Sequence, residues 1–402
     1  MGRGSELAPL PAVVQGHPLT DAASGPGLYV HVPFCRVRCP YCDFATAPYA
    51  RRSAERYVSA VLVEAERSRA IVGEAAFTTC FYGGGTPSRL EPEDFARLAA
   101  GLARRLDLSG VVETTLEANP EDVDGERLAA WRAGGVNRLS LGVQSLDAGE
   151  LARLGRPHGV DGALAATAAA RRHFASWSLD LMYGFPGHTA ASWERTLARA
   201  LAEEPPHVSA YHFTAEAGTP MGDAVRAGRV RVADEDEAGE LFEAAARRLG
   251  EAGYRHYEIS NYARPGAESK HNGLYWSGAP YWGLGPSAVS TWERVRRTNV
   301  RDAAVYAARL EGGGSAVERV EDVGRSAPEE LVMMGLRRDR GVAWTELAGL
   351  GARAESWRRA ALAAGRAGWL EADETGFRLP ARARALTDEA VARLWRAVEM
   401  EV

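Results

Sequence analysis

The sequence predicts an α/β fold in which six parallel strands curl into a partial barrel. Six short apolar segments, at residues 28–33, 79–82, 113–117, 138–143, 179–182 and 208–213, have the character of strands covered on both faces. Alanine-rich segments with helical spacing lie between them, and glycine-rich or polar residues follow the strands. Function in such folds lies at the carboxyl ends of the strands. We therefore predict a partial (β/α)6 TIM-like barrel with a site at its rim.

Composition is that of an ordinary globular protein. The chain has 402 residues, 46% hydrophobic and 25% charged, with a formal net charge of −5. This length suits one large barrel and an appendage. The acidic balance provides no general basic surface, so we expect no nucleic-acid partner. No apolar segment reaches the ~20 residues of a transmembrane helix and no export signal is present, so we expect a cytoplasmic protein.

Changes in composition predict four regions. Residues 1–26 are interrupted by prolines and are expected to form a flexible leader, and residues 27–220 form the barrel. Residues 221–325 begin with an acidic helix, concentrate aromatic side chains and form an accessory region. Residues 326–402 combine amphipathic helices with a hairpin, so that the C-terminal α+β part is similar to a winged-helix module at its end.

The loop after the first strand carries three of the four cysteines. Cys35, Cys39 and Cys42 have the spacing C-x3-C-x2-C, and no second cysteine pair follows. Thiolates so close together favour a metal cluster, and three of them on a 4Fe–4S cubane leave one iron open to another ligand. A zinc site would need a fourth ligand, with only His31 nearby, and a disulfide would leave one thiol unpaired. Cys80 lies in an apolar segment and is expected in the core.

Polar and glycine residues also follow the next strands. The run GGGTP at residues 83–87 offers backbone N–H groups and close approach to a ligand. Glu117, Gln144, Arg156 and Asp180 are candidates for contacts with the ribose, methionine or adenine part of a nucleotide. Each of them taken alone is more simply an ion pair or a helix cap.

The segment HNGLYW stands out in the accessory region. His271 is a candidate axial ligand to iron or a hydrogen-bond partner, and Tyr275 and Trp276 offer flat surfaces to a macrocycle. The same segment taken alone also suits a packed interface with one satisfied histidine.

These segments together resemble a known family. The cysteine loop resembles the signature of the radical S-adenosylmethionine superfamily, in which the open iron chelates the amino and carboxylate groups of S-adenosylmethionine. The segments YVHVPFCRVRCPYCDF, FYGGGTPS, LEANPE, GVNRLSLGVQS, LGRPH, DLMYGFPG, YEISNYARPG, HNGLYW and GLGPS follow in the order found in the anaerobic coproporphyrinogen oxidase-like family. The chain resembles the heme-chaperone branch of that family over roughly residues 27–345.

The resemblance implies three cofactors, namely a 4Fe–4S cluster on the three cysteines, S-adenosylmethionine and heme. The nucleotide contacts that it implies are Tyr29, Tyr41, Gly84, Gly85, Thr86, Glu117, Gln144, Arg156 and Asp180. The heme contacts that it implies are His271, Asn272, Tyr275 and Trp276. It assigns no catalytic residue. The implied function is delivery of heme to an apo-hemoprotein. This function is compatible with a membrane-associated recipient and with a homodimeric state of the chain.

Two positions bear on the branch of the family. The oxidases place a further cysteine two residues after the third cluster ligand, where this chain has Phe44, which argues against coproporphyrinogen oxidase activity. The family segment GPGAHS is here GPSAVS, with Ser287 for the second glycine and Val289 for the histidine. An oxygen-independent coproporphyrinogen III oxidase and a radical methyltransferase remain the alternatives, so enzymatic activity stays open.

Overall fold

The computed structural model describes residues 25–324, 327–348 and 352–399. The six predicted strands form, and each pairs in parallel with the next along the chain. They are β1 (Gly27–Val32), β2 (Thr79–Gly84), β3 (Glu113–Ala118), β4 (Arg138–Gln144), β5 (Ser176–Tyr183) and β6 (His207–His212). The predicted α/β barrel class is therefore confirmed. Of the predicted leader, residues 1–24 lie outside the described residues.

Helices connect these strands and cover the sheet. They are α1 (Arg51–Val72), α2 (Pro92–Ala103), α3 (Gly125–Ala133), α4 (Ala148–Arg153), α5 (Gly159–His173) and α6 (Ala190–Ala202). In α1 the buried residues recur at helical spacing, with Ala54, Val58, Val61 and Ala65 turned inward. Short 3-10 turns at Pro87–Arg89 and Pro120–Asp122 follow β2 and β3. Burial of these apolar faces against the strands holds the barrel together.

The next region continues the same sheet rather than forming a separate one. It contains α7 (Pro220–Arg226), α8 (Glu235–Glu251), β7 (Arg255–Glu258), β8 (Asn261–Ala263), α9 (Lys270–Ser277), β9 (Tyr281–Leu284), β10 (Val289–Trp292), β11 (Val295–Asn299), α10 (Ala303–Glu311) and β12 (Val317–Asp322). The sheet order is β12-β11-β10-β9-β1-β2-β3-β4-β5-β6-β8-β7. The barrel does not close, and the added strands satisfy the backbone groups at its two edges. The boundary at residue 220 stays a prediction.

The C-terminal part builds a smaller unit with its own core. It contains α11 (Ala327–Gly335), β13 (Val342–Ala343), α12 (Trp344–Ala348), α13 (Ala352–Arg366), β14 (Glu371–Ala372), β15 (Gly376–Arg378), a 3-10 turn (Ala381–Leu386) and α14 (Thr387–Glu399). The antiparallel strands have the order β13-β15-β14. Val332, Trp357, Phe377 and Leu394 pack together in a core distinct from that of the barrel. The hairpin formed by β14 and β15 was expected, whereas the winged-helix likeness stays a prediction.

Helix lengths and compositions also bear on membrane insertion. Among the described residues, no helix combines the length and the apolar composition needed to cross a bilayer.

Candidate functional site

A cavity at the carboxyl ends of β1–β6 extends into the barrel. Its volume is about 580 Å³, and every one of the six strands contributes to its lining. The three clustered cysteines line it. All nine residues predicted to contact the nucleotide line it as well, namely Tyr29, Tyr41, Gly84, Gly85, Thr86, Glu117, Gln144, Arg156 and Asp180. Residues far apart in the sequence therefore converge on one space large enough for a small ligand.

The cysteine loop is held at both ends by the strands that flank it. Phe34–Cys35 pairs in parallel with Ala47–Pro48, which brings the two ends of the loop side by side. Inside the loop, the Cys42 backbone N–H donates to the Cys39 carbonyl at 3.2 Å. The Arg38 guanidinium donates to the Cys42 carbonyl at 3.0 and 3.2 Å. These contacts hold the backbone of a loop whose three cysteines all line the cavity.

The donor set fits an iron–sulfur cluster better than a single metal ion. Across residues 25–324, 327–348 and 352–399, no three His, Cys, Asp or Glu side chains are grouped closely enough to hold one ion. The ligands of a cubane bind separate irons and need not meet at a point. Burial raises the pKa of Cys35 to about 11 and also raises that of Cys42. A bound cluster would offset this effect of burial by favouring the thiolate forms of its ligands.

A chain of polar contacts joins two of the cysteines through the nucleotide side of the cavity. The Cys35 Sγ lies 3.4 Å from the Thr86 Oγ1, which accepts from Nδ2 of Asn119 at 3.4 Å. Oδ1 of Asn119 accepts from NH2 of Arg156 at 2.6 Å, and NH1 of Arg156 lies 3.5 Å from the Cys39 Sγ. Burial opposes the Arg156 charge, but Tyr41 and Cys39 outweigh it and raise the Arg156 pKa. The guanidinium is therefore a fixed cation beside the cysteine loop.

The glycine run approaches the first strand so closely that side chains would not fit. Gly84 has φ of +112°, and a Cβ there would lie 2.6 Å from the His31 ring. A Cβ on Gly85 would lie 2.6 Å from the Pro33 carbonyl oxygen. The Gly84 N–H donates to Oε2 of Glu117 at 3.1 Å. Glycine is thus required here for close packing of β2 on β1 and the cysteine loop.

Two carboxyl groups face the middle of the cavity. Burial, followed by the nearby charge of Asp180, raises the pKa of Glu117 to about 8. Asp180 lies within β5, not at its end, and accepts from the hydroxyls of Ser140 at 2.7 Å and Ser178 at 3.2 Å. Burial raises the Asp180 pKa also. Such a pair would bind hydroxyl groups or a positive charge, as the ribose and sulfonium of S-adenosylmethionine present.

Gln144 ends β4 in a left-handed backbone conformation. Its φ is +66°, which is uncommon for a residue other than glycine. Its side chain lines the cavity. Backbone strain of this kind is concentrated at functional sites, which supports the predicted nucleotide contact.

The HNGLYW segment forms α9, and only part of it faces the cavity. Asn272 and Tyr275 line the cavity, whereas His271 and Trp276 do not. His271 is fully buried, with Nδ1 2.7 Å from the Thr79 Oγ1 and Nε2 2.9 Å from the Tyr275 hydroxyl. Burial lowers the His271 pKa to about 3. Because both ring nitrogens are hydrogen-bonded inside the protein, an axial role for His271 would need rearrangement, and the four predicted heme contacts stay predictions.

Sequence reasoning placed Asn119 at the strand-end rim but assigned no role to the residues that connect these contacts. Asn119 bridges Thr86 and Arg156, and its place two residues after Glu117 at the end of β3 was the available signal. Glu113 accepts from the N–H groups of Lys270 at 3.0 Å and His271 at 2.9 Å, which fixes the start of α9. No local pattern predicts that contact, because it joins residues more than 150 positions apart.

Comparison with known proteins agrees with the architecture and the motifs. The Radical SAM superfamily model matches residues 29–200. The heme chaperone HemW of Mycobacterium tuberculosis is 37% identical over 96% of this chain and 96% of its own length. The HemW of Synechocystis is 35% identical, covering 79% of each chain. A mouse mitochondrial protein, radical S-adenosyl methionine domain-containing protein 1, is 37% identical over 80% of this chain and 75% of its own.

One similar solved structure is coproporphyrinogen III oxidase (HemN) from Escherichia coli. It superposes with a TM-score of 0.78, covers 94% of this chain and 91% of its own, and is 21% identical. At that identity the likeness concerns the fold. The sequence identity of 35–37% over 75–96% of the length of the three relatives places the chain more narrowly. The chain belongs to the HemW family within the radical S-adenosylmethionine superfamily.

Proposed function

We propose that this protein is a heme chaperone that binds a 4Fe–4S cluster, S-adenosylmethionine and heme and delivers heme to apo-hemoproteins. The observation that carries the proposal is the 37% identity to a heme chaperone over 96% of both chains. The convergence of three thiols and nine predicted nucleotide contacts on one cavity supports the cofactor part.

The cavity residues have distinct proposed roles. Cys35, Cys39 and Cys42 would hold the cluster, which supplies a redox-active centre with one iron open to the nucleotide. Arg156 fixes the orientation of Cys39 through its hydrogen bond and adds positive charge beside the loop. Glu117 would receive the ribose or amine of the nucleotide. In a chaperone these contacts stabilise the bound cofactors and need not lead to turnover.

Oxidative decarboxylation of coproporphyrinogen is the competing function. The fold is shared with an oxidase, but at 21% identity that likeness says nothing of activity. Phe44 stands where the oxidases place their additional cysteine, and its side chain is 59% exposed beside the cysteine loop. A phenyl group supplies neither a thiol nor a proton, so the chaperone function is favoured.

The proposal includes partners and location. We propose that the protein is cytoplasmic and that it delivers heme to an apo-hemoprotein. The proposal further includes a membrane-associated recipient and a homodimeric state of this protein. No nucleic-acid partner is proposed, since the net charge is −5.

The test is a transfer experiment under anaerobic conditions. Protein reconstituted with iron and sulfide is titrated with heme and then mixed with an apo-hemoprotein such as apo-myoglobin, and with coproporphyrinogen in a parallel sample. We expect a saturable change in the Soret band, transfer to the acceptor, and no vinyl product. If vinyl product formed and heme did not bind, the chaperone function would be rejected in favour of the oxidase function.

A further inference from the structure

A second concave surface lies just outside the cavity. It is an open groove of about 290 Å³ between the cysteine loop and the segment from β9 to β11, and we call it the outer groove. Its lining residues are Tyr29, His31, Asp43, Phe44, Ala45, Tyr275, Tyr281, Ser287, Val289 and Arg301. Tyr29, Asp43, Phe44 and Tyr275 also line the cavity, so that these side chains separate the two spaces. A ligand in the outer groove would lie beside the cluster loop.

The walls of the outer groove combine aromatic and aliphatic side chains with the polar side chains of His31, Asp43, Ser287 and Arg301. The Phe44 side chain is 59% exposed and so is available for contact with a ligand. The rings of Tyr275 and Tyr281 meet edge to face, with centroids 4.8 Å apart. Val289 is half-buried and adds an aliphatic surface. The aromatic and aliphatic part of this surface suits one face of a flat ligand, and the polar part suits polar substituents at its edge.

Two of the polar side chains in this groove, those of Tyr281 and Arg301, are suited to contact heme. Among the described residues, the Tyr281 hydroxyl has no hydrogen-bond partner, whereas Tyr275 bonds to His271 and Tyr29 to His31. Arg301 donates to the Asp43 carbonyl and brings a positive charge to the groove. A phenol oxygen is an established type of ligand to heme iron, and a guanidinium pairs well with a carboxylate.

We propose that the outer groove is the heme site, with Tyr281 as the oxygen ligand to iron and Arg301 paired with a propionate. This inference rests on the proposed function. It places the heme iron away from His271, because both ring nitrogens of His271 are hydrogen-bonded to hydroxyl groups of the protein. Coordination to ferric iron displaces the phenol proton to solvent. The volume of about 290 Å³ covers only part of a macrocycle. Partial enclosure suits a carrier, because the exposed part of the ligand can reach an acceptor.

Val289 provides a test in which function is gained. It lines the outer groove at the position where the family segment GPGAHS carries histidine. A histidine there would place an imidazole in the groove beside Tyr281. If heme binds in this groove, Val289→His adds a nitrogen ligand, and unfolding cannot imitate the resulting tighter binding.

The experiment is a ferric heme titration of the full chain, followed by absorbance and electron paramagnetic resonance. We expect Tyr281→Phe to weaken binding ~10-fold or more and Arg301→Gln about 3- to 10-fold, from loss of one ligand or one charged contact. Val289→His should tighten binding ~10-fold and change the spectrum to that of a histidine-ligated heme. Val320→Ala and Arg319→Gln, exposed residues outside the groove, should match the wild type.

The outcomes separate this inference from the proposed function. Wild-type binding that Tyr281→Phe, Arg301→Gln and Val289→His all leave unchanged would overturn the groove assignment and leave the chaperone function standing. The absence of saturable binding by the wild type would overturn both. Loss of wild-type binding in His271→Gln, in a variant that keeps its circular dichroism spectrum, would return the site to α9.

Discussion

The carboxamide of Asn119 accepts a hydrogen bond from the Arg156 guanidinium at 2.6 Å. The Asn119 side chain is uncharged, so it orients the Arg156 guanidinium without neutralising its positive charge. Because Arg156 lies 3.5 Å from Cys39 and Thr86 lies 3.4 Å from Cys35, this pair couples the cysteine loop to the nucleotide side of the cavity. Changes at one side should therefore be measurable at the other.

Replacing Arg156 tests that coupling. Arg156→Gln removes a buried cation and a charge-assisted contact to Cys39. We expect S-adenosylmethionine binding to weaken ~10- to 100-fold, equivalent to about 1.5–3 kcal/mol. Anaerobic calorimetry of the reconstituted protein measures the affinity. Arg153→Gln, which alters an exposed arginine on α4, is the matched control and should bind as the wild type. Equal affinity for the two variants would contradict the coupling.

Glu64 predicts a pH dependence of stability. This carboxylate of α1 is half-buried and accepts from the Asn299 amide at 2.6 Å and the Gly285 N–H at 2.9 Å. Burial raises its pKa to about 7, above the value of the unfolded chain. The folded state then binds the proton more tightly, so this contribution to stability is complete below pH 4.5 and is lost as the pH rises through 7.

The check is urea unfolding of Glu64→Gln against the wild type at pH 5 and pH 8. Between pH 5 and pH 8, the free energy of unfolding of the wild type should fall by on the order of 1–3 kcal/mol more than that of the variant. Glu66→Gln, on the exposed side of the same helix, should keep the wild-type dependence. An identical dependence in all three proteins would show that Glu64 does not titrate as described.

His271 predicts a dependence of opposite sign. Its pKa is lowered to about 3 by burial, so the unfolded chain binds the proton between that pH and about 6.5. The stability held above pH 6.5 is then lost as the pH falls. His271→Gln should reduce the decrease in the free energy of unfolding between pH 7.5 and pH 5 by about 1–2 kcal/mol. Chemical denaturation at the two pH values measures it, and His173→Gln, an exposed histidine of α5, should behave as the wild type. A steeper acid loss in His271→Gln would refute the buried neutral histidine.

Much of the fold follows from local pattern. The six barrel strands were predictable because each is a short apolar segment followed by polar or glycine residues. The strands added beside β1 were not, since β9 pairs in parallel with β1 from a distant part of the chain, and β10–β12 then extend the sheet in antiparallel pairs. Asp180 shows the same limit, because it was expected with the strand-end residues and lies within β5.

The candidate site divides in a similar way. The roles of the cysteine loop and the glycine run could be predicted from local sequence alone, because the residue types and their spacing indicate the chemistry. His271 does not, because whether an imidazole is a ligand or a packed side chain depends on Thr79 and Tyr275 around it. The outer groove could not be predicted at all, since Phe44, Tyr281 and Arg301 meet only in the folded chain.

The central claim is that three cysteines hold a 4Fe–4S cluster at the barrel rim. Iron and acid-labile sulfide are measured after anaerobic reconstitution of the wild type, the triple variant Cys35→Ser/Cys39→Ser/Cys42→Ser, and Cys80→Ser. Cys80 is a buried thiol whose pKa is raised to about 12 by burial, and it does not line the cavity. We expect about four irons and four sulfides per chain in the wild type and Cys80→Ser and close to none in the triple variant. Equal iron and sulfide in the triple variant and the wild type would contradict the account.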